Sequence, residues 1–188
     1  MAQTGAGHGA ASAARPNGRP QVLRSQVKGT APRLQTRRRL RKTKGKFTIL
    51  LHIIARGKIA RSPEEDLVER YKKRIQWPMK FTELPETGGR IPEPQTPFKT
   101  VLLDEKGKNL GSEDFAQILE RWRDDGMREC RFVIGAADGH TQQERDEADL
   151  LIAFGKATWP HLLARAMLAE QLFRATSILA GHPYHRAG

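Results

Sequence analysis

Arg131–Gly139 reads R-F-V-I-G-A-A-D-G, and after a short polar stretch it is followed by L-L-I-A-F at Leu150–Phe154, by G-K-A-T-W-P at Gly155–Pro160 and by a long helical segment. A buried strand, a glycine-edged turn, a second apolar run and a helix in this order are the parts of an α/β unit. The two strands each end in a glycine-bearing loop, Gly135–Gly139 and Gly155–Pro160. Such loops offer bare backbone at neighbouring strand ends, where open α/β sheets take their ligands. This pair of loops is where a cofactor is expected.

Working outward, F-T-I-L-L-H-I-I-A at Phe47–Ala55 is a near-continuous apolar run with β-branched residues, the pattern of a central strand covered on both faces. Ser62, Pro63 and the acids Glu64, Glu65 and Asp66 then open a helix with its cap, its N1 proline and charges suited to the dipole. Leu67, Val68, Tyr71 and Ile75 give that helix an inner face. Met79–Leu84 alternates as a strand does, and Pro85–Pro97 is rich enough in Pro and Gly to be a loop. F-K-T-V-L-L at Phe98–Leu103 predicts a strand with D-E-K-G-K-N-L-G as its exit turn. Ser112 is expected to cap the next helix, which passes through Phe115, Ile118, Leu119 and Trp122 and ends near Gly126. A strand at Arg131–Ile134, a short polar helix over Gln142–Asp149, a strand at Leu150–Phe154 and a helix from Pro160 to Ala180 complete an α/β sheet with right-handed crossovers. The last helix is apolar over more than one face, which fits either a deep core helix or a self-associating one.

The formal charge of +12 is unevenly placed. Residues 1–46 hold 12 of the 33 Lys and Arg residues and no acid, so the remaining 21 basic residues balance 21 acidic ones. The basic excess therefore belongs to a segment that ends in R-R-R-L-R-K-T-K-G-K at Arg37–Lys46 and has almost no large apolar residue. Such a segment cannot offset its chain entropy by burial, and residues 1–46 are expected to be a disordered basic extension of a domain spanning 47–188. A basic arm for RNA phosphates, an unselected leader and an organelle transit peptide all fit it. The neutral domain has no net field with which to attract nucleic acid, so RNA binding there requires a local patch.

Cys130 is the single cysteine, which excludes an internal disulfide and fits a reducing, cytoplasmic setting. No apolar run reaches the roughly 18 residues that a membrane span needs, so no membrane partner is expected. G-A-A-D-G lacks the G-x-G-x-x-G spacing of a dinucleotide loop, and no Gly-Lys-Ser/Thr P-loop occurs. His161, His182 and His185 do not have zinc-ligand spacing, so no metal is expected. No G-x-S-x-G or paired cysteine supports a nucleophilic triad.

Taken together, G-A-A-D-G after a strand, A-T-W-P-H-x-L-x-R-x-x-L-x-E-Q-L-x-R-A over Ala157–Ala175 and H-P-Y-H-R at His182–Arg186 resemble the RlmH family of SPOUT-class RNA methyltransferases. H-I-I-A-R-G-K at His52–Lys58 and R-Y-x-K-R-I at Arg70–Ile75 fit the same family, and the resemblance runs from Phe47 to the C-terminus. It implies a SPOUT-type α/β sheet with helices on both faces and a C-terminal trefoil knot, in a homodimer. It further implies S-adenosylmethionine as cofactor and methylation of N3 of a pseudouridine in large-subunit ribosomal RNA on the assembled ribosome.

Carried over by position, Leu103, Gly135, Gly155, Lys156, Ala157, Thr158, Trp159 and Pro160 hold the cofactor. Tyr184, His185 and Arg186 surround the target base, with Arg165 assisting. Ala136 stands where the family usually has a second glycine, Ala137 and Asp138 where it has Pro-Glu, and Phe173 where it has Tyr. Gly155, Lys156 and Trp159 replace the usual serine and leucine character of the last loop. A non-catalytic RNA-binding or ribosome-associated factor with the same fold is the alternative, and cofactor binding separates the two.

Overall fold

The structure, a computed structural model, describes residues 48–184. The basic extension over residues 1–46, together with His185 and Arg186, lies outside the described residues. The elements follow in the order β1 (Leu50–Arg56), α1 (Pro63–Arg74), β2 (Met79–Leu84), β3 (Phe98–Lys108), α2 (Ser112–Asp124), β4 (Glu129–Ile134), α3 (Gln142–Glu147), β5 (Leu150–Ile152) and α4 (His161–Leu179). The five strands form one sheet in the order β2-β1-β4-β3-β5, and every neighbouring pair is parallel. All strand C-termini therefore point to one edge.

β1 lies between β2 and β4, and Leu51 to Ala55 are buried along it, as a strand covered on both faces must be. Leu51, Ile53, Val101, Cys130, Phe132 and Ile134 form one face, packed against Phe115 and Leu119 of α2 and Leu168, Leu172 and Phe173 of α4. Each such fully buried large side chain contributes about 1.5–3 kcal/mol relative to exposure. Val68 of α1 meets Ala166 and Ala169 of α4, where small residues let the two helices approach. α4 is thus flanked by α1 and α2 and seated on the sheet, while Leu162, Leu163 and Met167 stay half-buried outside both core clusters.

The opposite face is covered differently. His52, Ile54, Leu102 and Arg131 are buried there, and the loop over residues 85–97 bonds to this side through Pro92 and Gln95. A polar cluster fastens the loop to the strands: His52 Nδ1 lies 2.7 Å from Glu129 Oε1, His52 Nε2 lies 2.8 Å from Thr82 Oγ1, Gln95 N–H donates to Glu129 Oε2 at 2.6 Å, and Arg131 Nη2 donates to Pro92 O at 2.6 Å. The three long helices share the other face, and α3 buries no residue.

α1 starts as its sequence predicts: Ser62 Oγ accepts from Glu65 N–H at 3.2 Å, Pro63 is the first helical residue, and Lys72, Lys73 and Arg74 close the last turn. α2 does not. Gly111 is its N-cap, with no side-chain cap, because the hydroxyl of Ser112 is turned to α4 and donates to Gln171 Oε1 at 3.0 Å. The expected exit turn after Leu103 is also corrected: β3 continues to Lys108 through a register shift, with Leu103 and Lys108 both opposite Ile152 and Ala153 N–H bonded to Lys108 O at 3.0 Å. A backbone partner on β5 keeps the chain extended where its Gly and Lys content suggests a turn. β5 itself stops at Ile152 instead of Phe154.

Candidate active site

A cavity of about 300 Å³ opens at the C-terminal ends of β4 and β5 and beside Leu103–Glu105 within β3. Leu103, Ile134 and Ile152, the last apolar residues of those strands, form its floor, and His161 and Ala164 bring the first turn of α4 to its wall. Gly135–Gly139 and the β5–α4 loop close the sides. A Cβ at Gly135 would lie 3.0 Å from the backbone of Gly139, so any larger residue would have to push the turn apart by a few tenths of an ångström. Gly155 has φ +95°, a conformation that side chains with a Cβ rarely adopt.

Of the residues expected to hold a cofactor, Leu103, Gly135, Gly155, Ala157, Thr158 and Trp159 line this cavity. Lys156 and Pro160 do not: Lys156 is exposed, and Pro160 caps α4, its carbonyl accepting from Ala164 N–H at 2.9 Å. Trp159 stands at the rim, its Nε1–H donating to Phe154 O at 2.8 Å.

Asp104, His140 and Arg145 belong to the site's frame, and sequence reasoning passed over all three. Asp104 lines the cavity; its Oδ1 accepts from Lys106 N–H at 2.9 Å and its Oδ2 accepts from Arg145 Nε at 2.7 Å. Burial works to raise its pKa, but the Lys106 amide and the Arg145 guanidinium outweigh it and hold the carboxyl below its ordinary value. His140 is buried, and its Nε2–H donates to Leu103 O at 3.1 Å, tying the glycine turn to the end of β3. Burial lowers its pKa against the opposing pull of Glu144 and Asp104, which keeps the imidazole neutral. Thr141 and Glu144 cap α3 reciprocally. The signals were available: an acid directly after an apolar strand and a histidine directly after the glycine turn.

Arg165 does not face the cavity. Its side chain is buried, Nη2 donates to the carbonyls of Arg56 and Gly57, and Nη1 lies 3.3 Å from Glu83 Oε1. It fastens α4, just past the cavity-lining Ala164, to the exits of β1 and β2.

Tyr184 lies elsewhere. Its ring centroid is 4.5 Å from that of Phe173, its hydroxyl donates to Glu170 Oε1 at 3.1 Å, and the guanidiniums of Arg74 and Arg174 lie over its ring. Burial and the Glu170 carboxylate push its pKa up to about 12. About 13 Å of helix separates Phe173 from Ala164, so Tyr184 does not meet its own chain's cavity. No cluster of three or more His, Cys, Asp or Glu suited to a metal ion occurs among the described residues, and no helix among them is long and apolar enough to cross a membrane.

A parallel sheet ending in a bare-backbone cavity under a long C-terminal helix has a match among known families: the model described as predicted SPOUT methyltransferase aligns with residues 49–185. Proteins named ribosomal RNA large subunit methyltransferase H are similar over the same part. That of Erythrobacter litoralis is 81% identical over 140 residues, covering 74% of this chain and 100% of the relative. Those of Novosphingobium aromaticivorans and Zymomonas mobilis are 69% and 59% identical, with 74% and 73% of this chain and 100% and 99% of the relatives covered. The chain belongs to the SPOUT methyltransferases and, within them, to the RlmH family.

Proposed function

We propose that this chain is an S-adenosylmethionine-dependent methyltransferase that methylates N3 of a pseudouridine in large-subunit ribosomal RNA on the assembled ribosome. The observation that carries the reading is the glycine-walled cavity where β4 and β5 end beside β3, in a chain 81% identical to a protein named for methylating large-subunit ribosomal RNA. The cavity suits the donor in kind. Leu103, Ile134 and Ile152 offer apolar surface to an adenine, the glycine turn and the β5–α4 loop offer main-chain donors and acceptors, and Asp104, Glu105 and Asp138 on the wall favour a cationic group. The donor supplies the electrophilic methyl when bound; the protein's part is alignment and a place for the N3 proton.

Leu103, Gly135, Gly155, Ala157, Thr158 and Trp159 hold the donor in this reading, with Lys156 and Pro160 shaping the loop around them. Arg165 acts as a positioning residue for α4. Tyr184, His185 and Arg186 form the acceptor side: an aromatic ring, an imidazole and a guanidinium for the pyrimidine oxygens. The seat of Tyr184 on Phe173, away from its own cavity, supports a homodimer in which one subunit's ending completes the other's site. A knotted C-terminal part, a cytoplasmic location and a basic extension over residues 1–46 outside the domain belong to the same proposal.

Calorimetric titration with S-adenosylmethionine, paired with mass spectrometry of ribosomal RNA from a deletion strain, tests it. Binding of the donor and loss of one methylpseudouridine are expected. Absence of both would leave the non-catalytic ribosome-associated factor.

A further inference from the structure

Ile91, Phe98 and Trp159 are the large apolar residues that stand exposed among the described residues, and of these Trp159 borders the cavity. It is 40% exposed. Its one polar atom is already engaged by Phe154 O, which fixes the ring at the rim and leaves only its π surface to offer. Lys156, in the same loop, is exposed, lies off the cavity wall and forms no ion pair among the described residues. The loop thus meets the cavity through Gly155, Ala157, Thr158 and part of Trp159, and presents the rest of the Trp159 ring and the Lys156 side chain to solvent.

A fixed aromatic ring and a free cation in one exposed loop are the combination that single-stranded nucleic acid recognises, because every base has a π surface and every nucleotide a phosphate. A domain without net positive charge depends on such local contacts for its hold on RNA. We infer that the rim formed by the β5–α4 loop is an RNA contact, in which an unpaired base of the ribosomal RNA stacks on the part of Trp159 that stands clear of the cavity and Lys156 takes a phosphate. The inference rests on the methyltransferase reading of the cavity. Stacking at the rim holds the RNA strand where the cavity opens, so Trp159 selects substrates that present an extruded base.

The test measures binding of assembled ribosomes by the full chain without S-adenosylmethionine, by sedimentation over a range of salt. Trp159→Leu, which keeps an apolar side chain but no π face, is expected to weaken ribosome binding about tenfold. Trp159→Phe is expected to stay within about threefold of the parent, and Lys156→Ala to reduce the salt slope by about one. Thermal unfolding of each variant controls for folding. Equal ribosome affinity for Trp159→Leu and the parent protein, or equal losses for Trp159→Leu and Trp159→Phe, overturns the inference. Because no donor is present, a failed donor titration of the parent protein is a separate result that bears on the methyltransferase reading instead.

Discussion

Arg145 donates its Nε–H to Asp104 Oδ2 at 2.7 Å, and this pair joins α3 to the point where β3 leaves the cavity floor. The carboxylate is nearly buried and the guanidinium only partly exposed, so neither finds an equal partner in water. Asp104→Asn is expected to destabilise the fold by about 1.5–3 kcal/mol, the usual worth of a hydrogen bond to a charged group, and to weaken donor binding. The carboxyl titrates lower in the folded chain than in the unfolded one. Its contribution is therefore complete above the ordinary carboxylate range and fades as pH falls through the depressed folded value. Urea unfolding of parent and variant should converge on acidification.

His52 and His140 predict a second acid sensitivity at higher pH. Burial is the largest influence on each and lowers both pKa values, against the carboxylates beside them. In the unfolded chain both imidazoles take up a proton near their ordinary value, about 6.5, while the folded chain resists. Stability is then full above that value and declines as pH falls below it. Unfolding free energies measured from about pH 7.5 to pH 5.5 should fall, and a His52→Gln, His140→Gln double variant, though weaker overall, should show a shallower decline.

Gly155→Ala places a Cβ on a residue with φ +95°. The expected cost is about 1–3 kcal/mol, read as a lower urea midpoint. Gly135→Ala pushes a methyl to 3.0 Å from the Gly139 backbone and should displace the turn, with at least a tenfold loss of S-adenosylmethionine affinity by calorimetry.

Arg165→Met removes the side-chain donor from the carbonyls of Arg56 and Gly57 and leaves Glu83 Oε1 with the Ile59 N–H alone. A loss of about 2–3 kcal/mol is expected, with kcat falling more than the KM for ribosomes rises, since the residue fastens α4 and lies off the cavity wall. Arg165→Lys should recover only part of each, because an ammonium lacks the planar fork that serves several acceptors at once.

Most of the strand and helix order is legible in the sequence because each element buries its own pattern: the apolar run of β1, the Ser62-Pro63 start of α1 and the G-A-A-D-G turn speak locally. The cavity walls at Leu103, Gly135 and Thr158 follow from the resemblance together with that order. What escapes is long-range pairing. Asp104 with Arg145 and Leu103 with His140 are separated by 41 and 37 residues, and nothing in either neighbourhood names the other. Ser112 fails as a cap for the same reason, since its hydroxyl answers to Gln171, far along the chain. Tyr184 reads as a base-stacking residue in isolation, yet within one chain it is claimed by Phe173 and Glu170.

With its three long helices on one side, the sheet has an unequal roof. Opposite them, the loop over residues 85–97 is pinned at Gln95 and Pro92 by a carboxylate and a guanidinium rather than by a packed apolar layer. Amide protons beneath that loop will exchange with solvent sooner than those under α4, so breathing begins on the side away from the cavity. The protein can loosen there while its donor pocket, braced by α4, keeps its shape.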